Sequence, residues 1–382
     1  MKVGIITFHA SYNCGSILQC MALKNVLERK GIEVEIINYS SEEQQKLYSV
    51  FYKKVTLKNT IKNILCIRGY SKIKAHYMQY RNYINEAFSL QGDFFQSSVE
   101  IKENIPVYDM LIAGGDQIWN VNCDDFSKAY FLDFNDSAYK ISFSPSLGAT
   151  NINNSAQSEE YSILLNKFDS LSCREVNGKK WLEQLTGRKV ELIADPTLLL
   201  QQDEWIKQIQ KTLSNPIRGD FIFYYAFSYS TENNRCIQRI AESNNLKVIV
   251  IDAKQWYIKG LDRYKNFILC GETGPNAFLN LIKDSKYVIT TSFHGTAFSL
   301  LFHKQFVYIN SRNHEPTDDR TSFLLEEMDL MDRYIYPEFV TLKKLNESID
   351  YNNIDKRIEE LRYKANFYLD TNIAMASKGK QI

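Results

Sequence analysis

Glycine and proline are scarce in this sequence, at 16 and 7 of 382 residues, which excludes collagen-like chains and Pro/Gly-rich low-complexity segments. Long apolar runs are missing too, so no transmembrane helix is expected. The opening MKVGIITF turns polar at His9, leaving an apolar run shorter than the core of a secretion signal. Seven cysteines (14, 20, 66, 123, 173, 236 and 270) form an odd set with no C-x-x-C pair. Several sit within apolar runs as buried thiols do, so neither a disulfide framework nor a zinc site is expected. These absences point to a reduced, cytoplasmic, soluble enzyme; no metal, no cofactor and no nucleic-acid partner is expected for it. One further absence is local: nine Lys or Arg fall between Lys46 and Asn85, and no Asp or Glu. The net charge of +1 conceals that cationic segment.

What is present reads as alternating strands and helices. Residues 3–8 form a short apolar run, a polar turn follows, and residues 17–30 carry a helical pattern that Gly31 stops before a second strand at 33–38. Further strand-length runs fall at 108–113, 140–144, 169–172 and 190–193. After a polar stretch at 201–218 the same grammar repeats, with strands at 220–227, 247–252, 267–270, 287–291 and 306–310. The expectation is an α/β chain of two successive open parallel sheets, each with helices on both faces. The basic segment has apolar residues at helical spacing and reads as helices. Residues 1–200 and 201–350 are the expected domains, with 351–382 a closing helix and tail that pack back on the first.

In open α/β sheets, ligands bind beyond the carboxyl ends of the strands, so the residues following each strand are the candidates. The first turn carries Asn13, Gly15 and Ser16 at a helix start, a place suited to an anion, although plain N-capping explains the same residues. It is neither a G-x-G-x-x-G fingerprint nor a P-loop. Gly114, Gly115, Asp116 and Gln117 end another strand, where paired glycines admit a ligand and a carboxylate can accept a hydroxyl proton. A Gly-Gly turn capped by Asp116 is the plainer alternative. Arg174 follows a strand and has a fork that matches carboxylate or phosphate; pairing with a helix Glu is its bland reading. The run 287–302 ends an apolar strand in Ser292, His294, Gly295 and Thr296 before a buried helix, which sets His294 at the mouth of the second sheet. Arg312 and Arg320 follow the next strand, and an Arg opening a helix is unfavourable to the dipole unless it serves a ligand.

These runs carry a resemblance. SYNCGSILQCMAL (11–23), GGDQIWN (114–120), SCREVNG (172–178) with ADPTLLL (194–200), TTSFHGTAFSLLF (290–302) and DDRTSFLLEEMDL (318–330) are similar, in order, to the motifs of the polysaccharide pyruvyl transferase family. The resemblance implies a glycosyltransferase-B-like pair of Rossmann-like domains facing a cleft, with the acceptor on the first and the donor on the second. It implies phosphoenolpyruvate as donor, a pyruvate ketal on a sugar as product, and a role in capsule or exopolysaccharide biosynthesis. It maps its functional His and Arg onto His294 and Arg174; with Asp116 these are the expected catalytic residues, and Asn13, Gly15, Ser16, Gly115, Gln117, Ser292, Gly295, Thr296, Arg312 and Arg320, from their places after the strands, are expected around the substrates. One position departs: the family's usual Gly-Ser-Asp-Gln is Gly114-Gly115-Asp116-Gln117.

The chemistry of that donor suits these residues. A carboxylate and a phosphate call for arginines and helix N-termini; His294 is the best candidate for a general acid or a phosphate ligand in ketal formation, and Asp116 for the base that takes a hydroxyl proton. A sugar built on a polyprenyl diphosphate at the inner leaflet would give the basic segment 46–85 a purpose, peripheral contact with anionic lipid. Two other readings fit the same architecture: a nucleotide-sugar glycosyltransferase and a non-catalytic binding protein.

Overall fold

The computed structural model describes residues 1–90, 94–209, 217–310 and 317–378. The first half supplies β1 (Lys2–Ile6), β2 (Glu33–Ile36), β3 (Met110–Gly114), β4 (Tyr139–Phe143), β5 (Ser172–Cys173) and β6 (Glu191–Leu192). The first four pair in parallel in the order β2-β1-β3-β4, and a parallel bridge between Ile141 and Ser170 leads from β4 toward the β5–β6 pair. The second half supplies β7 (Phe221–Tyr225), β8 (Lys247–Val250), β9 (Phe267–Leu269), β10 (Tyr287–Thr290), β11 (Gln305–Ile309) and β12 (Tyr334–Ile335). These form one parallel sheet in the order β12-β11-β10-β7-β8-β9, the doubly wound Rossmann order. The strands read as continuous apolar runs, MLIAG and YVIT among them, because helices cover both faces of each sheet. In each sheet the winding reverses beside the first strand, between β1 and β3 and between β7 and β10. By the general rule for open α/β sheets, those two switch points are where ligands bind.

A single apolar cluster joins the halves. It takes in Val3, Ile17 and Leu23 from the first, Phe278, Phe298 and Leu301 from the second, and Ile358 and Leu369 of the final helix Tyr351–Lys378. Trp205 sits at the crossing, its ring 4.9 Å from that of Phe298 and its indole N–H donated to the Thr197 carbonyl at 3.1 Å. The final helix returns to the first half: Tyr368 donates to the Ser142 carbonyl at 3.0 Å and Arg362 to that of Leu198 at 3.0 Å.

The basic segment forms the helices Leu57–Arg68 and Tyr70–Phe88, which stand against Ala253–Lys259 of the second half. Gly69 allows the approach, since a Cβ there would lie 2.0 Å from the Tyr257 ring. Lys254 crosses the same seam and donates to the Ser49 carbonyl at 2.7 Å. Two helix starts lie three residues ahead of expectation, that of Cys14–Arg29 and that of the helix after β10. The helix after β10 starts at Phe293, not at Thr296, because Ser292 is its N-cap and accepts from the Gly295 amide at 3.4 Å. His294 therefore lies within the first turn of the helix.

Candidate active site

Both switch points open on the same spot. From the first sheet comes the N-terminus of the helix Cys14–Arg29, capped by Asn13, whose side chain accepts from the amides of Gly15 at 2.9 Å and Ser16 at 3.4 Å. From the second comes the N-terminus of Phe293–Leu301. The two meet where the His294 ring lies on Gly15; a Cβ on Gly15 would fall 2.0 Å from His294 Nδ1. Only glycine fits there. Two helix starts thus direct their positive ends into one crevice.

Carboxylates answer that field. Asp116 sits past β3 with φ +56, a left-handed conformation an Asp tolerates better than most residues, and Gly115 before it has φ +35. The Asp116 carboxylate accepts from the Gln117 amide at 2.9 Å, from the Ser16 hydroxyl, and from Arg174 at 3.4 Å. Burial favours its neutral form, but Arg174, His294, Ser16 and Arg320 outweigh that and hold it below the usual carboxylate range. Arg174 is 1% exposed; its other arm donates to Asp195 at 2.5 Å, and its guanidinium lies 4.6 Å from the centre of the Phe293 ring. Asp195 is buried as well, tied to the amide and hydroxyl of Thr197 at 3.0 and 2.7 Å. His294 Nε2 lies 3.6 Å from Asp195, beyond hydrogen-bond reach, and that buried nitrogen has no hydrogen-bond partner among the described residues. Burial opposes ionisation of Asp195, yet His294, Arg174 and the Thr197 amide hold its carboxyl well down. A continuous line therefore runs His294, Asp195, Arg174, Asp116, Ser16.

The remaining candidates divide. Gly115 is needed because Gln19 packs against it, and Gln19 donates to the Thr7 hydroxyl at 2.8 Å. Gln117 accepts from Asn120 at 3.0 Å, on the side of Gly148. Ser292, Gly295 and Thr296 build the helix start: the Thr296 hydroxyl donates to the Ser292 carbonyl at 3.2 Å, and a Cβ at Gly295 would strike Thr290. Arg320 is held by Asp318 through two bonds of 2.7 and 2.5 Å, so an internal carboxylate accounts for an Arg opening a helix. Arg312 lies outside the described residues. Arg174, expected to meet a donor anion, donates to two carboxylates of the protein, Asp195 and Asp116, and its Nε lies 3.9 Å from a third, Glu175. Arg174 thereby bridges Asp195 and Asp116.

Two residues escaped the sequence reading. Asp195 announced itself only as a charged break between an apolar strand and the buried run Pro196–Leu199. Glu175 is fully buried and accepts from the Leu147 amide at 2.6 Å; its second oxygen has no hydrogen bond among the described residues and lies 3.9 Å from Arg174 Nε. Burial pushes its carboxyl up to about 7, against the pull of Arg174. The folded protein thus keeps a proton that the unfolded chain releases near 4.5, and stability falls as pH rises from there through about 7. Glu175→Gln, which keeps the acceptor for Leu147, is expected to stabilise the protein by on the order of 3 kcal/mol at pH 8 and by nothing measurable near pH 4. Urea unfolding at the two pH values checks it; an equal shift at both would remove the buried ionisation as the cause.

Among the described residues no group of His, Cys, Asp and Glu is arranged to hold a metal ion, and no helix is long and apolar enough to cross a membrane. Solved structures share the architecture. UDP-GlcNAc 2-epimerase from Methanocaldococcus jannaschii, in complex with UDP-GlcNAc and UDP, superposes with a TM-score of 0.52 at 12% identity, covering 95% of this chain and all of its own. The enzyme of that name from Neisseria meningitidis, bound to UDP-GlcNAc, gives 0.51 at 11% over 98% and 100%. The one from Rickettsia bellii gives 0.52 at 13% over 99% and 97%. At such identities the likeness shows the fold alone: two Rossmann-like units facing a cleft, as in glycosyltransferase-B enzymes. No curated protein matches the chain in sequence. The family described as polysaccharide pyruvyl transferase matches residues 13–313, a span that holds the whole line from Ser16 to His294, and the chain belongs to that family.

Proposed function

We propose that the protein transfers the pyruvyl group of phosphoenolpyruvate to two hydroxyls of a sugar, releasing phosphate and leaving a pyruvate ketal, in the building of a capsule or exopolysaccharide. The observation that carries this reading is His294 Nε2, 3.6 Å from the Asp195 carboxylate and without a hydrogen bond among the described residues, at the junction of two helix N-termini. There His294 protonates the donor methylene, which becomes the methyl group, and the central carbon takes the first sugar oxygen. The C–O bond to phosphate then breaks, and the second hydroxyl closes the ketal. Of the two hydroxyl protons, one is balanced by the proton now on the methyl and the other leaves with phosphate. Asp116 accepts a hydrogen bond from the incoming hydroxyl. Its pairing with Arg174 keeps it ionised but weakly basic, so it orients the hydroxyl and takes the proton only as the new bond makes that hydroxyl acidic.

In this reading residues 1–200 hold the acceptor, 201–350 the donor, and 351–382 form the closing helix and tail. The acceptor is a sugar on a polyprenyl diphosphate, and the cytoplasmic protein meets it with segment 46–85 against the anionic inner leaflet. Incubation with phosphoenolpyruvate and a panel of lipid-linked and aryl glycosides is expected to release phosphate only when donor and acceptor are both present. Phosphate silence across the panel, together with calorimetric binding of a nucleoside diphosphate and none of phosphoenolpyruvate, would transfer the protein to the nucleotide-sugar glycosyltransferases.

A further inference from the structure

The helix Leu57–Arg68 is built inside out. Its only buried residue is Cys66, and beside it the inner face carries Asn59, Lys62 and Asn63. Asn63 accepts from the Tyr52 amide at 2.8 Å and donates to the Tyr52 carbonyl at 3.0 Å; Asn59 donates to the Lys54 carbonyl at 2.9 Å. Lys62 lies 4.6 Å from the centre of the Tyr52 ring. On the opposite face, at intervals of four and three residues, Leu57, Ile61 and Ile64 are 81%, 53% and 59% exposed. Val55, just ahead of them, is 93% exposed, and Ile67 flanks them. At the edge of this face Phe51 and Tyr70, both exposed, stack 5.8 Å apart. A helix meant for water turns the other way, with its polar residues out.

Charge names the occupant. The apolar face lies within the stretch of nine cations and no carboxylate, and Lys53, Lys54 and Lys58 are exposed around it. A second copy of the same face would bring like charges together, which disfavours self-association. An anionic bilayer answers both features: headgroups take the lysines, and the aliphatic face passes below them, as in helices that lie in the plane of a membrane. Long lysine stems reach up from such a depth, and aromatic rings sit at the headgroup level.

We propose that the protein docks on an anionic leaflet by lowering Leu57, Ile61 and Ile64 into the boundary between headgroups and acyl chains, with Lys53, Lys54 and Lys58 on the lipid phosphates. This deepens, and rests on, the reading of segment 46–85 as membrane-facing, and it replaces surface attraction with insertion. It also gives the site an orientation. Tyr48, upstream of the docking face, packs 5.1 Å from Tyr12, the neighbour of the Asn13 cap. An acceptor held in the membrane therefore enters from the side of Asp116.

The test is co-sedimentation of the full chain with phosphatidylcholine vesicles, with and without phosphatidylglycerol. The wild type is expected to bind only the anionic vesicles and to keep a salt-resistant fraction. Leu57→Ser/Ile61→Ser/Ile64→Ser, changed only at exposed positions, is expected to lose about tenfold or more at every salt concentration. Lys53→Glu/Lys54→Glu/Lys58→Glu is expected to lose the salt-sensitive part. A serine variant that binds as the wild type does would overturn insertion while leaving the electrostatic contact standing. No binding of the wild type at low salt would overturn both. A serine variant that converts a wild-type dimer to monomer without altering vesicle binding would make the face a self-association surface and also overturn the proposal. Phosphate release on a soluble aryl glycoside, expected unchanged in both variants, reports on the chemistry separately.

Discussion

His294→Ala is expected to lower phosphate release by about a thousandfold or more while the protein stays folded. A positioned acid contributes roughly a hundred- to ten-thousandfold, and here the same ring also fills the junction of the two helix starts. Its side chain is 7% exposed, packs on Gly15 and Phe293 and helps hold the Asp195 carboxylate down, so truncation leaves a void, removes one of that carboxylate's neighbours and costs on the order of 2 kcal/mol. His294→Gln separates packing from chemistry, since it keeps most of the volume and a hydrogen-bond donor but cannot pass a proton at neutral pH. Both variants should be inactive with unfolding midpoints near the wild type, and the glutamine variant should still bind phosphoenolpyruvate. A folded glutamine variant that turns over at the wild-type rate removes His294 from proton transfer.

Arg174→Ala is expected to destabilise the protein by about 3–5 kcal/mol, because it leaves Asp195 and Asp116 buried without their shared cation. Removing a partner from a buried pair costs more than the pair itself contributes. The sign with pH follows from the two carboxyls. In the wild type both are held low, so their contribution is present above the unfolded value near 3.8 and is lost as pH falls below it. Without Arg174 the pKa of both rises, most at Asp116, whose largest opposing charge is Arg174, so the variant takes up protons at a higher pH than the wild type and its deficit narrows as pH falls. Urea unfolding at pH 8 and pH 5 should show a larger gap at pH 8. A pH-independent gap below 1 kcal/mol would mean the carboxylates do not depend on Arg174. The effect on donor affinity has to be read in Arg174→Lys, which keeps the charge but loses the fork.

The sequence made the sheets legible because parallel strands covered on both faces are continuous apolar runs. β10 and the helix after it stood out for that reason, and with them His294. Its exact helix start was missed because Gly295 reads as a turn residue, whereas here it is required by contact with Thr290 inside the first turn. β12 was missed since two residues carry no periodicity. Asp195 was hidden for a deeper reason. Its meaning is a partner 21 positions away, and pairing across a crossover is a property of topology that local pattern does not hold. The orientation of Leu57–Arg68 was equally closed to reading: helical spacing gives an amphipathic helix but not which face the rest of the chain covers.

The final helix has a consequence for the birth of the molecule. Tyr368 caps the Ser142 carbonyl from 226 residues downstream, and Arg362 holds the Leu198 carbonyl from 164 downstream. On a ribosome adding roughly 5–20 residues each second, the edge of the first sheet emerges on the order of tens of seconds before its cover exists. The nascent chain carries that flank bare until those two residues have emerged, and the amino-terminal half reaches its finished form only when the helix Tyr351–Lys378 is made.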